Sequence, residues 1–171
     1  MLNSMNSTFK YLSLCGLMLL FGCEKKDEAT DTTDYVKSIT FGRFISPGCT
    51  GSESCVEIFR IDAQGLTEDV NDNFPDATGF YNGNFATHLD QSDYTQIELL
   101  FRNGVPPELI ERSSGNVGLF PTWNTNYYYF EYRSNNINKF WIIDGSFDGS
   151  LGTVLQSFIT KIQEAVTIAS F

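Results

Sequence analysis

The chain has 171 residues, 21 of them acidic and 11 basic, for a net charge of −10 at pH 7. Phosphate backbones are bound chiefly through Lys and Arg, so a chain this acidic excludes nucleic acid as a partner. The length suits one domain with its own core, and no internal repeat or low-complexity array divides it.

The first apolar stretch follows Lys10 and runs Tyr11-Leu12-Ser13-Leu14-Cys15-Gly16-Leu17-Met18-Leu19-Leu20-Phe21-Gly22. Crossing a bilayer takes roughly 20 apolar residues, whereas the core of an export signal takes about 7 to 15, so its length points to a signal. Leu20-Phe21-Gly22-Cys23 resembles the lipobox of bacterial lipoprotein precursors, with a large apolar residue three positions before cysteine and a small one directly before it. Leu20, Gly22 and Cys23 match, while Phe21 departs from the small residue favoured at its position. The resemblance implies that the Cys23 thiol takes a diacylglyceryl group, that cleavage follows Gly22, and that the new amine is acylated. Residues 1–22 are then the signal, with Met1 and Met5 both serving as candidate starts. Their removal takes away Lys10 and no acid, leaving 10 basic against 21 acidic residues, a net −11. Each buried methylene contributes about 0.8 kcal/mol, and two or more acyl chains hold a protein stably on a membrane. The expected location is the outer membrane or cell surface, with the membrane engaged through the lipid alone and the domain outside the cytoplasm.

Residues 23–34 continue as Glu24-Lys25-Lys26-Asp27-Glu28-Ala29-Thr30-Asp31-Thr32-Thr33-Asp34, with nothing large and apolar enough to nucleate a core. They read as a flexible charged tether. The start of this run is similar to the lysine-plus-acid segment after the lipidated cysteine of surface-exposed Bacteroidota lipoproteins. Residues 35–171 form the exported domain. Of the four cysteines, Cys15 leaves with the signal and Cys23 carries lipid, so Cys49 and Cys55 remain to pair in an oxidising compartment. The loop between them is short, which limits the expected contribution to about 2 to 3 kcal/mol or less. A redox or metal reading lacks both the C-x-x-C spacing and neighbouring Cys or His ligands.

Within the domain, Val36–Ile45 reads as a strand ended by Ser46-Pro47-Gly48, and Val56–Asp62 as a second, with Val56, Ile58 and either Phe59 or Ile61 inward. Leu66–Val70 suits a short third strand, Asp69–Asp76 a polar loop, and Phe80–Leu89 a further strand. The period then becomes helical: Tyr94, Ile97, Leu100 and Phe101 share a face, with Ser92 as the expected cap and Asn103-Gly104 as the stop. Pro106–Arg112 suits a short second helix, because proline is tolerated in a first turn. Tyr127–Arg133 and Lys139–Asp144 form a hairpin. Leu151, Val154, Leu155, Phe158, Ile159, Ile162 and Ala165 make Ser150 to about Ala169 an amphipathic helix, capped by Asp148 or Ser150. The fold class is α+β: a mainly antiparallel sheet of five or six strands with the C-terminal amphipathic helix packed on one face and the short helices at an edge. Across Asn103–Asp144 the element order is similar to that of small exported Bacteroidota lipoproteins, a resemblance that carries no site residues over.

Candidate chemistry is sparse. His88, the only histidine, stands near Asp90, yet no G-x-S-x-G or other motif supplies a nucleophile. Asp144, Ser146 and Asp148 offer calcium-type oxygens, as does Asp69–Asp76, but neither loop continues to a bidentate acid at its twelfth position. The aromatic cluster Tyr127, Tyr128, Tyr129, Phe130, Tyr132, Phe140 and Trp141, preceded by Phe120 and Trp123, is the most suggestive feature. Alternation places Tyr128, Phe130 and Tyr132 on one side of their strand and Tyr127, Tyr129 and Glu131 on the other. One set is expected in the core, and Tyr127, Tyr129, Trp123 and Trp141 form the candidate binding face for a glycan or protein partner. No cofactor or metal is expected. The leading functional expectation is a non-enzymatic binding or interaction module on a tether. The alternatives are an envelope hydrolase using His88 or a carboxylate pair, and an inhibitor of exported proteases.

Overall fold

The computed structural model describes residues 35–46, 55–118, 125–145 and 152–171. The elements in chain order are β1 (Val36–Ser46), β2 (Val56–Asp62), β3 (Gly65–Asp69), β4 (Phe85–His88), α1 (Gln91–Phe101), α2 (Pro107–Ile110), β5 (Gly115–Val117), β6 (Thr125–Ser134), β7 (Asn138–Asp144) and α3 (Gly152–Ala169). They build an α+β fold around one sheet in the order β4-β3-β2-β1-β6-β7-β5. Neighbouring strands are antiparallel except β5, which runs parallel to β7 with Gly115 opposite Trp141 and Val117 opposite Ile143.

The sheet has seven strands, not five or six. The additional strand is β5, whose three residues begin with glycine and are too few to show alternation. Lys139 helps fix the approach to it, since its Nζ donates to the carbonyls of Ile110 and Arg112 as the chain leaves α2. The expected strand over Phe80–Leu89 contracts to Phe85–His88 because residues 80–84 are drawn over the sheet instead of along its edge.

The central strands are buried on both faces. Ile39, Phe41, Phe59, Ile61, Leu66, Tyr128, Phe130, Tyr132, Trp141 and Ile143 share the inner face with the helices. Phe44, Val56, Ile58, Tyr127, Tyr129, Phe140 and Ile142 fill the outer face. On β2 both Phe59 and Ile61 lie on the inner face, while Val56 and Ile58 lie on the outer one. Gly42 lets the outer face close: a Cβ there would run into the Ile58 side chain and the Glu57 carbonyl.

The inner face is covered by α3, whose Leu155, Phe158, Ile159, Ile162 and Ala165 are buried at the expected three- and four-residue steps, with Val166 and Ala169 extending the face, while Val154, expected on it, is exposed and Leu151 lies outside the described residues. Phe130 meets Phe158 edge-on at 4.8 Å between ring centres and Phe101 of α1 at 5.3 Å, so sheet and both helices share one aromatic centre. The α1 cap is Asp90 rather than Ser92: extended at Asp90, the chain turns so that its carbonyl accepts from Asp93 and Tyr94. Ser92 stands inside the first turn, its hydroxyl donating to Asp93. After α1 the chain turns at Gly104, where φ is +71° and the N–H returns to the Phe101 carbonyl at 2.8 Å, as the Asn103-Gly104 stop anticipates. The expected α3 caps Asp148 and Ser150 lie outside the described residues. Among the described residues, no helix is long and apolar enough to cross a membrane.

Candidate functional site

The expected aromatic binding face is not exposed. Tyr127 is 2% and Tyr129 0% exposed on the outer face, while Trp141, also 0% exposed, lies on the opposite, inner face. Trp123 lies outside the described residues. The aromatics are buried because both faces of β6 and β7 are covered, the inner one by α3 through Phe158 on Phe130 and the outer one in part by Phe80 on Phe140 and Tyr81 on Tyr129. Phe44 stacks on Tyr127 at 5.4 Å, and Tyr129 lies nearly parallel to Phe140 at 6.3 Å. Among the described residues, the Trp141 indole nitrogen is buried without a hydrogen-bond partner.

Part of the outer cover is the 70–84 loop between β3 and β4. Its neck is closed by the Val70 N–H donating to the Asn84 carbonyl at 3.0 Å. Phe74 and Phe80 lie edge-on to Phe44 and Phe140, each keeping a substantial exposed surface. Tyr81 is the residue that enters. Its N–H is shared between the Tyr129 hydroxyl at 2.9 Å and Glu131 Oε2 at 3.1 Å, and its hydroxyl donates to Asp69 Oδ2 at 2.5 Å. Gly83 is required beside it, since a Cβ there would strike the Tyr81 ring and the Asp69 carboxyl.

Two buried carboxylates are thereby satisfied. Glu131, 0% exposed, accepts from Tyr129 Oη at 2.7 Å, from the Tyr81 N–H, and from Arg133 Nε at 2.6 Å. Asp69 accepts from Tyr81 Oη and from the Asn84 N–H. Burial, reinforced at Tyr81 by the hydrogen bond to Asp69 and at Tyr129 by the Glu131 charge, pushes both phenols far above the usual tyrosine range. The Asp69–Asp76 calcium candidate therefore has its first carboxylate committed to loop closure. Asp144 is buried at the end of β7, while Ser146 and Asp148 lie outside the described residues. Among the described residues, no group of three or more His, Cys, Asp or Glu side chains is placed to hold a metal.

His88 stands exposed at the end of edge strand β4, opposite Thr67, with Asp90 beyond it at the head of α1. It does not line the cleft of about 400 Å³ that opens between the start of β1, the β2–β3 turn and one flank of α1. The floor of that cleft is Ile39, Ile61 and Phe101, and its rim carries Tyr35, Lys37, Asp62, Tyr94, Glu98 and Arg102. Local features hold it open. Pairing of β1 with β6 shifts between Val36 and Ser38, and the β2–β3 turn is tight, with Asp62 Oδ1 accepting from the Gln64 N–H at 2.8 Å and Gly65 at φ +123°. Tyr94, Glu98 and Arg102 follow one another at four-residue steps along α1. The Tyr94 phenol is pushed upward by partial burial and then by the charges of Glu98 and Asp62.

None of the cleft's rim residues, nor Tyr81, stands out as a site residue in the sequence. Tyr94 reads there only as part of an apolar helix face. The one available signal is the spacing of Tyr94, Glu98 and Arg102, which puts an aromatic, an acid and a base on one helix flank.

Closure by Tyr81 has a measurable cost when removed. Tyr81→Phe keeps the ring but takes a donor from Asp69, so it should lower unfolding stability by about 1 to 3 kcal/mol in urea denaturation. Both phenols are held neutral by the fold, so their stabilisation is complete below the unfolded tyrosine value of about 10 and falls as pH rises beyond it. Phenolate absorbance should accordingly show Tyr81 and Tyr129 among the late-ionising tyrosines, with one late-ionising group fewer in the variant. An unchanged urea midpoint together with an unchanged alkaline titration would contradict this role.

No protein-family model matches the chain, and comparisons with curated proteins and with solved structures likewise return no match, so the functional reading rests on the chain's own residues.

Proposed function

We propose that the chain is a lipid-anchored envelope lipoprotein, held through Cys23 at the outer membrane or cell surface, whose domain is a non-enzymatic binding module. The cleft beside α1 carries the binding reading. An apolar floor ringed by a few polar groups is the usual composition of a small-ligand site, and its volume falls at the lower end of the range of such pockets. The four charged side chains on the rim are balanced, Lys37 and Arg102 against Asp62 and Glu98, and two tyrosines add flat amphipathic surface. That combination favours a glycan or a short peptide, which presents hydrogen-bonding groups of both kinds together with apolar patches.

The Cys49–Cys55 staple belongs to the same reading. Cys49 lies outside the described residues; in favour of the pair, Cys55 is 3% exposed and its sulfur is not free. One observation favours a second reading. Asp62 and Glu98 face a common cleft, which narrows the envelope-hydrolase alternative to that carboxylate pair and away from exposed His88.

Two experiments test the proposal. Metabolic labelling with a fatty acid should mark the wild type and leave Cys23→Ala unlabelled; lipid on the variant would remove the anchor assignment. For the cleft, the detergent-solubilised lipoprotein is screened on glycan and peptide arrays. Binding should be lost in Tyr94→Ala and Arg102→Ala and retained in Lys161→Ala, which lies in a separate groove against α3. Hits indifferent to the Tyr94 and Arg102 changes would place recognition elsewhere. Cleavage of a hit, abolished by Asp62→Asn or Glu98→Gln, would replace the binding reading with the hydrolase one.

A further inference from the structure

The outer face of the sheet is not uniformly apolar. Beyond Tyr129 and Ile58, β1 presents Ser38 and Thr40, and the strands on either side present arginines: Arg60 of β2 stands opposite Thr40, and Arg133 of β6 opposite Ser38. With neighbouring strands about 4.8 Å apart and the two arginines opposite positions two residues apart on β1, their backbones are separated by roughly 12 Å, within the combined reach of two such side chains. The Arg60 guanidinium is pushed downward first by burial and then, against the opposing pull of Glu131, by the charge of Arg133.

Both guanidiniums are held the same way. Arg60 donates through Nε to Thr40 Oγ1 at 3.2 Å and lies 3.8 Å over the Phe85 ring. Arg133 donates through Nε to Glu131 Oε1 and lies 4.4 Å over the Phe80 ring. One edge and one face of each group are therefore used, which fixes its orientation and leaves the terminal amino groups without a protein partner among the described residues. Two carboxylates stand near, and both have other donors. Glu131 is wholly buried and already accepts from Tyr129, the Tyr81 N–H and Arg133 Nε, while Asp62 accepts the Gln64 N–H at its turn. The Arg133 side chain is 38% exposed, so the site is open to solvent.

We propose that Arg60 and Arg133, set across the Ser38 and Thr40 hydroxyls, form a binding site for an oxyanion group, a carboxylate or sulfate carried by an acidic ligand. An oriented guanidinium presents paired N–H donors at the spacing of two oxyanion oxygens, and charge-assisted bonds of this kind are about twice as strong as neutral ones. Stacking on Phe80 and Phe85 preorganises the donors, so less side-chain freedom is lost on binding. The site is distinct from the array-tested cleft and does not depend on that reading, although Ser38 and Asp62 border both.

The test uses the full lipoprotein in detergent at constant ionic strength, titrated with sodium sulfate in one arm and glucuronate in the other, against chloride. Binding is read from chemical-shift changes of the arginine Nε–H groups. Saturable shifts at Arg60 and Arg133 are expected in at least one arm, and the stronger arm identifies the oxyanion. Arg60→Lys and Arg133→Lys keep the charge but lose the fork, and each should weaken binding by about tenfold or more. Arg43→Gln, whose partner Glu57 lies elsewhere on the sheet, should leave it unchanged. Linear, non-saturating shifts in both arms, or affinity that survives both lysine variants, would overturn the site.

Discussion

The central strands of this protein carry large apolar side chains on both faces, and a sheet loaded in that way is stable only when each face is kept from water. Each buried Tyr, Phe or Ile contributes about 1.5 to 3 kcal/mol relative to exposure. The inner face meets this requirement with helices, above all α3. Outside, the 70–84 loop lies over part of Phe44, Tyr129 and Phe140. A loop has far less apolar surface to offer than a helix, so it needs specific bonds to stay down.

Those bonds come from acids that would otherwise be a liability. An unpaired carboxylate in the interior costs several kcal/mol, yet Glu131 sits wholly buried in the middle of β6. Tyr129 alone could not satisfy it. Donors from Tyr81 and Arg133 complete its shell, and Tyr81 also reaches Asp69 at the loop's root. The same arrangement that seals the apolar part of the outer face sets Arg133 on Phe80, so cover and surface chemistry are coupled through one loop. The candidate ligand regions lie beyond the sealed part: the cleft at the start of β1, and the arginine pair across Ser38 and Thr40.

Periodicity made some of this legible. Leu155, Phe158, Ile159, Ile162 and Ala165 of α3, the β6–β7 hairpin and the stop at Gly104 follow from local pattern and turn chemistry, whereas Val154, read on the same helix face, is exposed. What stayed hidden was non-local. Tyr127-Tyr128-Tyr129-Phe130 is apolar at every position, so alternation separates its two faces without saying that both are covered. Tyr81 reaches partners 48 and 50 residues away, a relation no local pattern encodes. The cleft draws Tyr35, Asp62 and Tyr94 from three separate segments, and β5 is too short to announce itself.

The central claim is that the 70–84 loop is a fixed part of the fold, locked through Tyr81 onto Glu131 and Asp69, and amide hydrogen exchange measures this most directly. The Val70, Tyr81 and Asn84 amides donate inside the closed loop. They should exchange only in the global opening that also exposes β6, with protection close to the full unfolding free energy. Exchange of these three amides at the rate of the exposed β2–β3 turn, while β6 stays protected, would show a loosely attached loop and contradict the account.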